Sequence, residues 1–521
     1  MNRIKPILFP IILPCLLGLM HFLPGQNLIN ESGYYSFLTD SKAIEEGTAD
    51  KHLSIRKSFF WMGYSSQLND LQSTFLGDRI FRNSKLKIYP SLVTYSTVDG
   101  GHLNSTGGTV DLAPTMTLMA NYKLPPMGKY SILVWSRFEK HSLLGSNAFP
   151  DTLKYLLSAQ KEIGYQKNQN DDSTWVEYDV GEGGLSLMYP KGSFSLIKSN
   201  PIWGPGYSGQ IVFSNKSPSF TYFQFQHQLT KKWLFTYIHG SLNSTFRDTL
   251  QSDLYEGRGF PLINKFVAAH RFDYFPRKNI RLGLGESVVY GNRGMEPAYL
   301  LPMVLFWSLQ HDLGDSDNLQ MFFDFDIIRK DKGRFYGSFF IDEWDFMSTF
   351  KKNDERRLWW AYQFGITREL PFFQKWKPLV RTELTRISPY VYVHKSKMNT
   401  FENYGHSLGY FTGSNSENIF IGLEGSPKEG LWVQMYYQKT VRGKVDSATV
   451  EMQYNHETLP YLDDPEKLTL TGIKGKWYLT SYLHLAFDIF RKDWERQLYQ
   501  PGDERPEMEK WDGSLQLIIG L

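Results

Sequence analysis

Residues 319–327 read Leu-Gln-Met-Phe-Phe-Asp-Phe-Asp-Ile, and this stretch most narrows what the chain can become. A β-strand turns successive side chains to opposite faces. Leu319, Met321, Phe323, Phe325 and Ile327 therefore share one face, and Gln320, Phe322, Asp324 and Asp326 share the other. The alternation recurs. Residues 280–290 set Ile280, Leu282, Leu284 and Val288 against Arg281, Gly283, Gly285 and Ser287. Residues 358–366 set Trp360, Tyr362, Phe364 and Ile366 against Trp359, Ala361, Gln363 and Gly365. In a soluble sandwich the apolar face would be the core. Repeated this often, aromatic-rich and behind an export signal, it reads as a barrel whose apolar face meets lipid and whose polar face lines the lumen.

The export signal is residues 1–25. Arg3 and Lys5 precede an apolar run over residues 7–23, and the small Gly25 follows. That is the layout of a secretory leader. The competing reading, a membrane anchor, is opposed by Pro6, Pro10 and Pro14 and by the lack of a basic stop-transfer cluster. Cys15, the single cysteine of the chain, lies inside this run. A cleaved chain would hold no cysteine and be held together without disulfides.

Composition points the same way. Aromatic residues make up 16% of the 521, yet the mean hydropathy is −0.38. A spanning helix needs about 20 apolar residues. After the leader the best contender is residues 298–309, which are too short and interrupted by Pro302. Lys and Arg number 57 against 54 Asp and Glu, so no basic field exists to recruit nucleic acid.

Residues 26–80 form an N-terminal periplasmic segment with one short helix around Tyr34, Phe37 and Leu38. Residues 81–521 form the barrel. A spanning strand takes about 9–11 residues, so with connections this length makes about 16–18 antiparallel strands. Long insertions fall near 140–172, 291–317 and 395–417. In the first, Asp151 can cap a helix carrying Leu153, Leu156, Leu157 and Ile163. The second is apolar and is expected to fold over or into the barrel mouth, since such a patch is costly in water. The third, rich in Asn, Ser and Gly, has the composition of a loop outside the hydrocarbon. The chain ends with Leu515, Leu517, Ile519 and Leu521 on one face, similar to the terminal strand read by the outer-membrane insertion machinery.

Several residues invite a chemical reading. Trp203-Gly-Pro-Gly-Tyr207 offers two rings on a Gly/Pro loop, and Tyr404-Gly-His406 lies in the longest polar loop. Exposed rings can stack on the apolar face of a sugar. The plain alternative is an interfacial aromatic anchor. Glu286, Asp324, Asp326, Arg381 and Glu383 are assigned to a lumenal polar network, which either bonds sugar hydroxyls or forms salt bridges that fill the barrel. His394-Lys-Ser396 has the outline of an outer-membrane phospholipase site, but Lys397-Met398 follows the serine and no third group orients the histidine. Asp342 and Glu343 are adjacent and so face oppositely, which is wrong for a glycosidase pair. Gly283-Leu-Gly285 is followed by no helix start, so it is no phosphate loop. No Cys/His metal spacing occurs, and the reading calls for neither metal nor cofactor.

Particular runs resemble a family. They are His270-Arg-Phe-Asp273, Leu282-Gly-Leu-Gly-Glu286, Glu296-Pro-Ala-Tyr-Leu-Leu-Pro302, Gln310-His-Asp and Asp317-Asn318. Further on come Phe340-Ile-Asp-Glu343, Arg381-Thr-Glu383, Pro389-Tyr390 and Asn403-Tyr-Gly-His-Ser-Leu-Gly409. In order and spacing, over roughly residues 200–430, the chain is similar to Wzi-type capsule-assembly outer-membrane proteins. Their Bacteroidetes-type relatives include a member linked to gliding motility. The resemblance implies a barrel in the outer membrane of a Gram-negative bacterium, with a small helical periplasmic part, that binds exported polysaccharide at the cell surface and is not an enzyme. Its partners would be membrane lipid, surface polysaccharide and, during biogenesis, the insertion machinery. A porin-like channel, or an envelope component of adhesion or gliding, is the alternative.

Overall fold

Strand alternation resolves into a closed barrel. The computed structural model describes residues 33–49, 55–56, 86–100, 106–124, 130–145, 175–215, 217–248, 262–344, 358–371, 375–443, 445, 461–462, 465–480, 483–495 and 508–520. The expected leader, the helix expected after Asp151 and Leu521 lie outside the described residues. Eighteen described strands close the ring. Strands β1 to β6 are Leu86–Gly100, Thr106–Lys123, Ser131–Gly145, Trp175–Tyr189, Gly192–Ser199 and Phe220–Thr230. Strands β7 to β12 are Trp233–Arg247, Leu262–Arg277, Ile280–Gly291, Asn318–Arg329, Gly333–Trp344 and Leu358–Glu369. Strands β13 to β18 are Leu379–Ile387, Ser416–Lys428, Leu431–Arg442, Glu466–Tyr478, Leu483–Glu495 and Met508–Gly520. Neighbours in sequence pair antiparallel, and β1 closes on β18 from Ser91 opposite Gly520 to Gly100 opposite Trp511.

Closure is what a membrane demands, because an unpaired strand edge has no water to bond in hydrocarbon. The faces follow the sequence period. In β10, Gln320, Phe322, Asp324 and Asp326 are buried, while Phe323 points outward and is 37% exposed. Outward Leu284, Trp360 and Ile366 are 61%, 43% and 51% exposed. Such apolar exposure all round a closed sheet is a lipid-facing belt. Trp233, Trp376 and Trp477 lie outward near one end, as an interfacial aromatic girdle does.

That end carries the tight turns, such as 277–280, 329–333 and 428–431. The other end carries the long connections 291–318 and 387–416, so it is the extracellular mouth. Helix α1, Gly33–Glu46, docks at the tight-turn end. Its Phe37, Ala43 and Ile44 pack with Ala49 on Ile328, Leu379 and Trp432. The Ala49 N–H donates to the Lys278 carbonyl at 2.6 Å, and the Asp331 N–H donates to the Ile44 carbonyl at 2.9 Å.

Two connections enter the lumen from the opposite mouth. Residues 200–215 descend inside the wall, with Ile202–Trp203 paired to Ile55–Arg56. The polar run 388–415 follows them in: Phe401, Leu408 and Tyr410 are buried with Trp203, Phe213, Phe322 and Phe340. Its Asn/Ser/Gly composition suggested a loop outside the hydrocarbon, and it lies in the lumen, held by five buried side chains, Val391, Tyr392, Phe401, Leu408 and Tyr410. The apolar insertion 291–317 goes elsewhere. It lies against the outer wall, where Tyr299 and Phe306 pack on Tyr237, Phe266, Val288 and Tyr290. Those wall residues are outward by strand parity, so the expected cover over the mouth is not what it forms.

Phe323→Arg is expected to cost about 2–4 kcal/mol of barrel stability, because it places a charge near the midplane of the apolar belt. Gln516→Arg, on the inward face of β18, should be tolerated. Heat-modified mobility on gels and β-type circular dichroism in detergent would read both; equal tolerance would refute the facing.

Candidate functional site

Inward charges on adjacent strands form one chain of ion pairs. Arg271 of β8 grips Asp273 through Nη2 at 2.6 Å and Nε at 3.1 Å, and reaches Asp324 of β10 at 3.3 Å. Arg281 of β9 bonds Asp273 at 3.2 Å and Asp326 at 2.5 Å, and also pairs with Asp324. Arg334 of β11 holds Asp326 at 2.6 Å and approaches Asp40 of α1 at 3.6 Å. Arg381 of β13 then joins Asp40 to Glu424 of β14. Four arginines and five carboxylates thus alternate from the barrel wall to the periplasmic helix. Charges taken out of water cost several kcal/mol each unless every one is paired. The register makes room for this: a Cβ at Gly283 would lie 2.3 Å from Arg271 Nη2 and 2.7 Å from Asp324 Oδ1.

Glu383 plays a different part. It accepts from the N–H groups of Tyr207 at 2.6 Å and Ser208 at 3.0 Å, from the Tyr336 hydroxyl at 2.6 Å and from the Gln363 amide at 3.1 Å. Arg334 Nη2 donates to the Pro205 carbonyl at 3.0 Å. The 200–215 plug is therefore tied by its backbone to the wall.

Trp203 and Tyr207 belong to this plug and are not the projecting loop rings their Gly/Pro setting suggested. Trp203 is fully buried, edge-on to Phe213 at 5.2 Å and Phe322 at 5.8 Å, with the Arg271 guanidinium 5.7 Å from its ring. Tyr207 is partly buried under Arg381, whose guanidinium lies 4.3 Å from the ring, and its hydroxyl accepts from Gln434 at 2.8 Å. Burial first, and then the nearby Glu424 charge, push that hydroxyl well above the usual phenol range.

Tyr404 and His406 lie elsewhere, on a small hairpin pairing Glu402–Asn403 with His406–Ser407. Tyr404 and Gly405 form its tip with φ of 57° and 76°, the paired positive values of a tight hairpin turn. The Tyr404 N–H donates to the Asn243 carbonyl at 2.9 Å, and Asn403 Oδ1 accepts from Asn243 N at 2.8 Å, so the tip is fastened to the extracellular end of β7. Both side chains are partly exposed.

Glu286 is not lumenal. It shares strand parity with Leu284 and Val288, opposes His270 and turns to the outer wall, where it accepts from the Phe306 N–H at 2.7 Å. In His394-Lys-Ser396 the histidine accepts from the Ser396 backbone N–H at 3.1 Å, so the pair is a local turn. Burial lowers the His394 imidazole to about 4. The network residues Arg271, Asp273, Arg281, Arg334, Asp40 and Glu424 escaped sequence assignment. For Arg271, Asp273 and Arg281 the signal was there: each sits at the inward position of an alternating strand. Asp40 had none, because its partner Arg381 is joined only by docking of the helix.

A lipid-belted ring of eighteen strands, stoppered by a helix and threaded by its own loops, is an outer-membrane β-barrel with an occupied lumen. Comparison with known proteins narrows the class. The chain belongs to the capsule assembly protein Wzi family, whose model matches residues 157–499, well over half its length. Among solved structures it is similar to Wzi of Escherichia coli, described as an outer-membrane protein involved in group 1 capsule assembly and a carbohydrate-binding β-barrel. The identity there is 13%, with 87% of each chain covered and a TM-score of 0.49. It is also similar to a BenF-like porin of Pseudomonas fluorescens, at 8% identity over 85% of this chain and 99% of that one, with a TM-score of 0.47. OccAB4 of Acinetobacter baumannii is similar at 8% identity over 84% of this chain and 98% of that one, with a TM-score of 0.46. No curated protein matches the chain at a significant level.

Asp324→Ala leaves Arg271 and Arg281 sharing Asp273, and removing one partner from a buried pair costs about 3–5 kcal/mol. The folded band on gels should convert at a clearly lower temperature than that of the parent. An unchanged conversion temperature would mean the network contributes nothing to stability.

Proposed function

We propose that this barrel binds exported capsular or exopolysaccharide at the cell surface and organises it there, without covalent chemistry or cofactor. Membership of a capsule-assembly family carries the reading. The occupied lumen supports it in a second way. With residues 200–215 and 388–415 packed inside the wall, a glycan would meet the extracellular face of these segments and not an axial path. Tyr404 and His406 are our candidates for contact: a ring and an imidazole on a pinned turn at that rim can stack on a sugar and bond its hydroxyls. Trp203 and Tyr207 enter this reading only as supports that hold the plug. Export would use the leader over residues 1–25, and β18 would present the strand recognised by the insertion machinery.

Tyr404→Ala together with His406→Ala should leave the folded barrel at normal surface level, since neither side chain is in the core. Cell-bound polysaccharide should fall about three- to tenfold, the scale of one or two lost stacking contacts. Unchanged polysaccharide in both this variant and a deletion strain would remove the binding reading. Large, steady conductance of the intact barrel in planar bilayers would instead favour a porin.

A further inference from the structure

The 291–317 connection leaves β9 and returns to β10 along the outside of the barrel. Its ends are polar and stay at the rim. Arg293 pairs with Asp317 at 2.6 Å, and the Tyr299 hydroxyl donates to Asp317 at 2.8 Å. Between them residues 297–309, Pro-Ala-Tyr-Leu-Leu-Pro-Met-Val-Leu-Phe-Trp-Ser-Leu, carry no charge.

Register fixes how far this uncharged middle descends. Glu286 lies midway along β9 and opposes His270, which in turn opposes Tyr237 of β7. The Phe306 ring lies 4.4 Å from the His270 ring, so the short helix Phe306–Asp312 begins near mid-height of the wall and climbs back to the rim. At about 3.3 Å per residue and a tilt near 40°, the tip is roughly 12 Å below the strand ends, within an apolar band about 25 Å tall. The inward side of the tip packs on the wall. On its outward side Leu301, Met303, Leu305 and Trp307 are 53%, 58%, 60% and 50% exposed. This surface is continuous with Leu284 and Phe323 of the lipid-facing belt just below it.

Irregular backbone is excluded from hydrocarbon unless its polar groups are bonded. Here Pro297 and Pro302 bring no N–H. Tyr299, Leu301, Val304 and Ser308 donate to the carbonyls of Glu296, Ala298, Leu301 and Leu305. The N–H of Phe306 goes to Glu286. That bond also accounts for a carboxylate on the lipid side of a strand: the flap covers it, and it fastens the flap.

We propose that residues 293–313 are a re-entrant flap whose tip, 300–307, rests among the acyl chains of the outer leaflet, anchored to the barrel wall by Glu286. The occupant is lipid because the tip is apolar at depth and polar at the rim, a gradient along the membrane normal that a soluble partner would not impose.

Single cysteines at Leu301 and Leu305, in a chain with Cys15→Ser, would be labelled with a fluorophore and reconstituted in phosphatidylcholine vesicles doped with brominated lipid. Leu284→Cys serves as the lipid control and Gln310→Cys as the rim control. The flap labels should be quenched by brominated chains about as strongly as the label at position 284, and be shielded from aqueous iodide. Iodide quenching like that at 310 would overturn the proposal. So would shielding from both quenchers in a dimeric barrel, which would put a second copy on the patch. For the anchor, Glu286→Ala should raise protease cleavage within 300–307 about tenfold while the barrel stays heat-modifiable. Unchanged cleavage in a folded variant would refute the anchor, and if that variant fails to fold, Glu286→Leu, similar in size and without an acceptor, provides the same test.

Discussion

A guanidinium inside a barrel wall has to be answered by carboxylates, and much of this molecule is arranged around that requirement. Arg281 illustrates it. Three aspartates from β8 and β10 surround it, and each of those is shared with Arg271 or Arg334. Because each of the four aspartates has two arginine partners, the chain of pairs does not stop at Arg281. It continues through Arg334 and Arg381 to Asp40, so the helix at the periplasmic mouth is bonded into the same network as the strands. Burial of so many charges is weak evidence for stability in itself. What it secures is specificity, since helix, plug and wall fit together in one arrangement that leaves these ions paired.

The same logic explains the plug. An eighteen-stranded ring is wide enough for an aqueous channel. Here Glu383 and Arg334 draw backbone groups of residues 205–208 to the wall, and the rings of Trp203, Phe213, Phe401 and Tyr410 fill the space above. Polar anchoring below and aromatic packing above make the loop part of the interior. A surface role for the family then falls to what remains exposed at the rim, including the hairpin tip at Tyr404.

Outside the ring, Glu286 repeats the theme with one charge in place of nine. An outward carboxylate among Leu284 and Val288 would be intolerable against lipid, and a segment of the chain folds down over it, offering the N-terminal N–H of a short helix. The wall of β7 to β10 is thus finished by chain on both sides, plug within and flap without.

Alternation of period two was legible in the sequence and, joined to the aromatic richness and the export signal, it determined the barrel, its lipid and lumen faces and the inward placement of Asp324, Asp326, Arg381 and Glu383. Parity would also have placed Glu286 outward, had its position been counted from Leu284. Period says nothing about where a long connection goes once it leaves a strand. Trp203-Gly-Pro-Gly-Tyr207 has the composition of an exposed turn, and residues 298–309 have that of a buried patch. The fold put the first inside the lumen and the second on the outer wall. Only the tertiary structure could decide this, because the deciding contacts, Glu383 to Tyr207 and Glu286 to Phe306, join residues 176 and 20 positions apart through a geometry that exists only once the strands have paired.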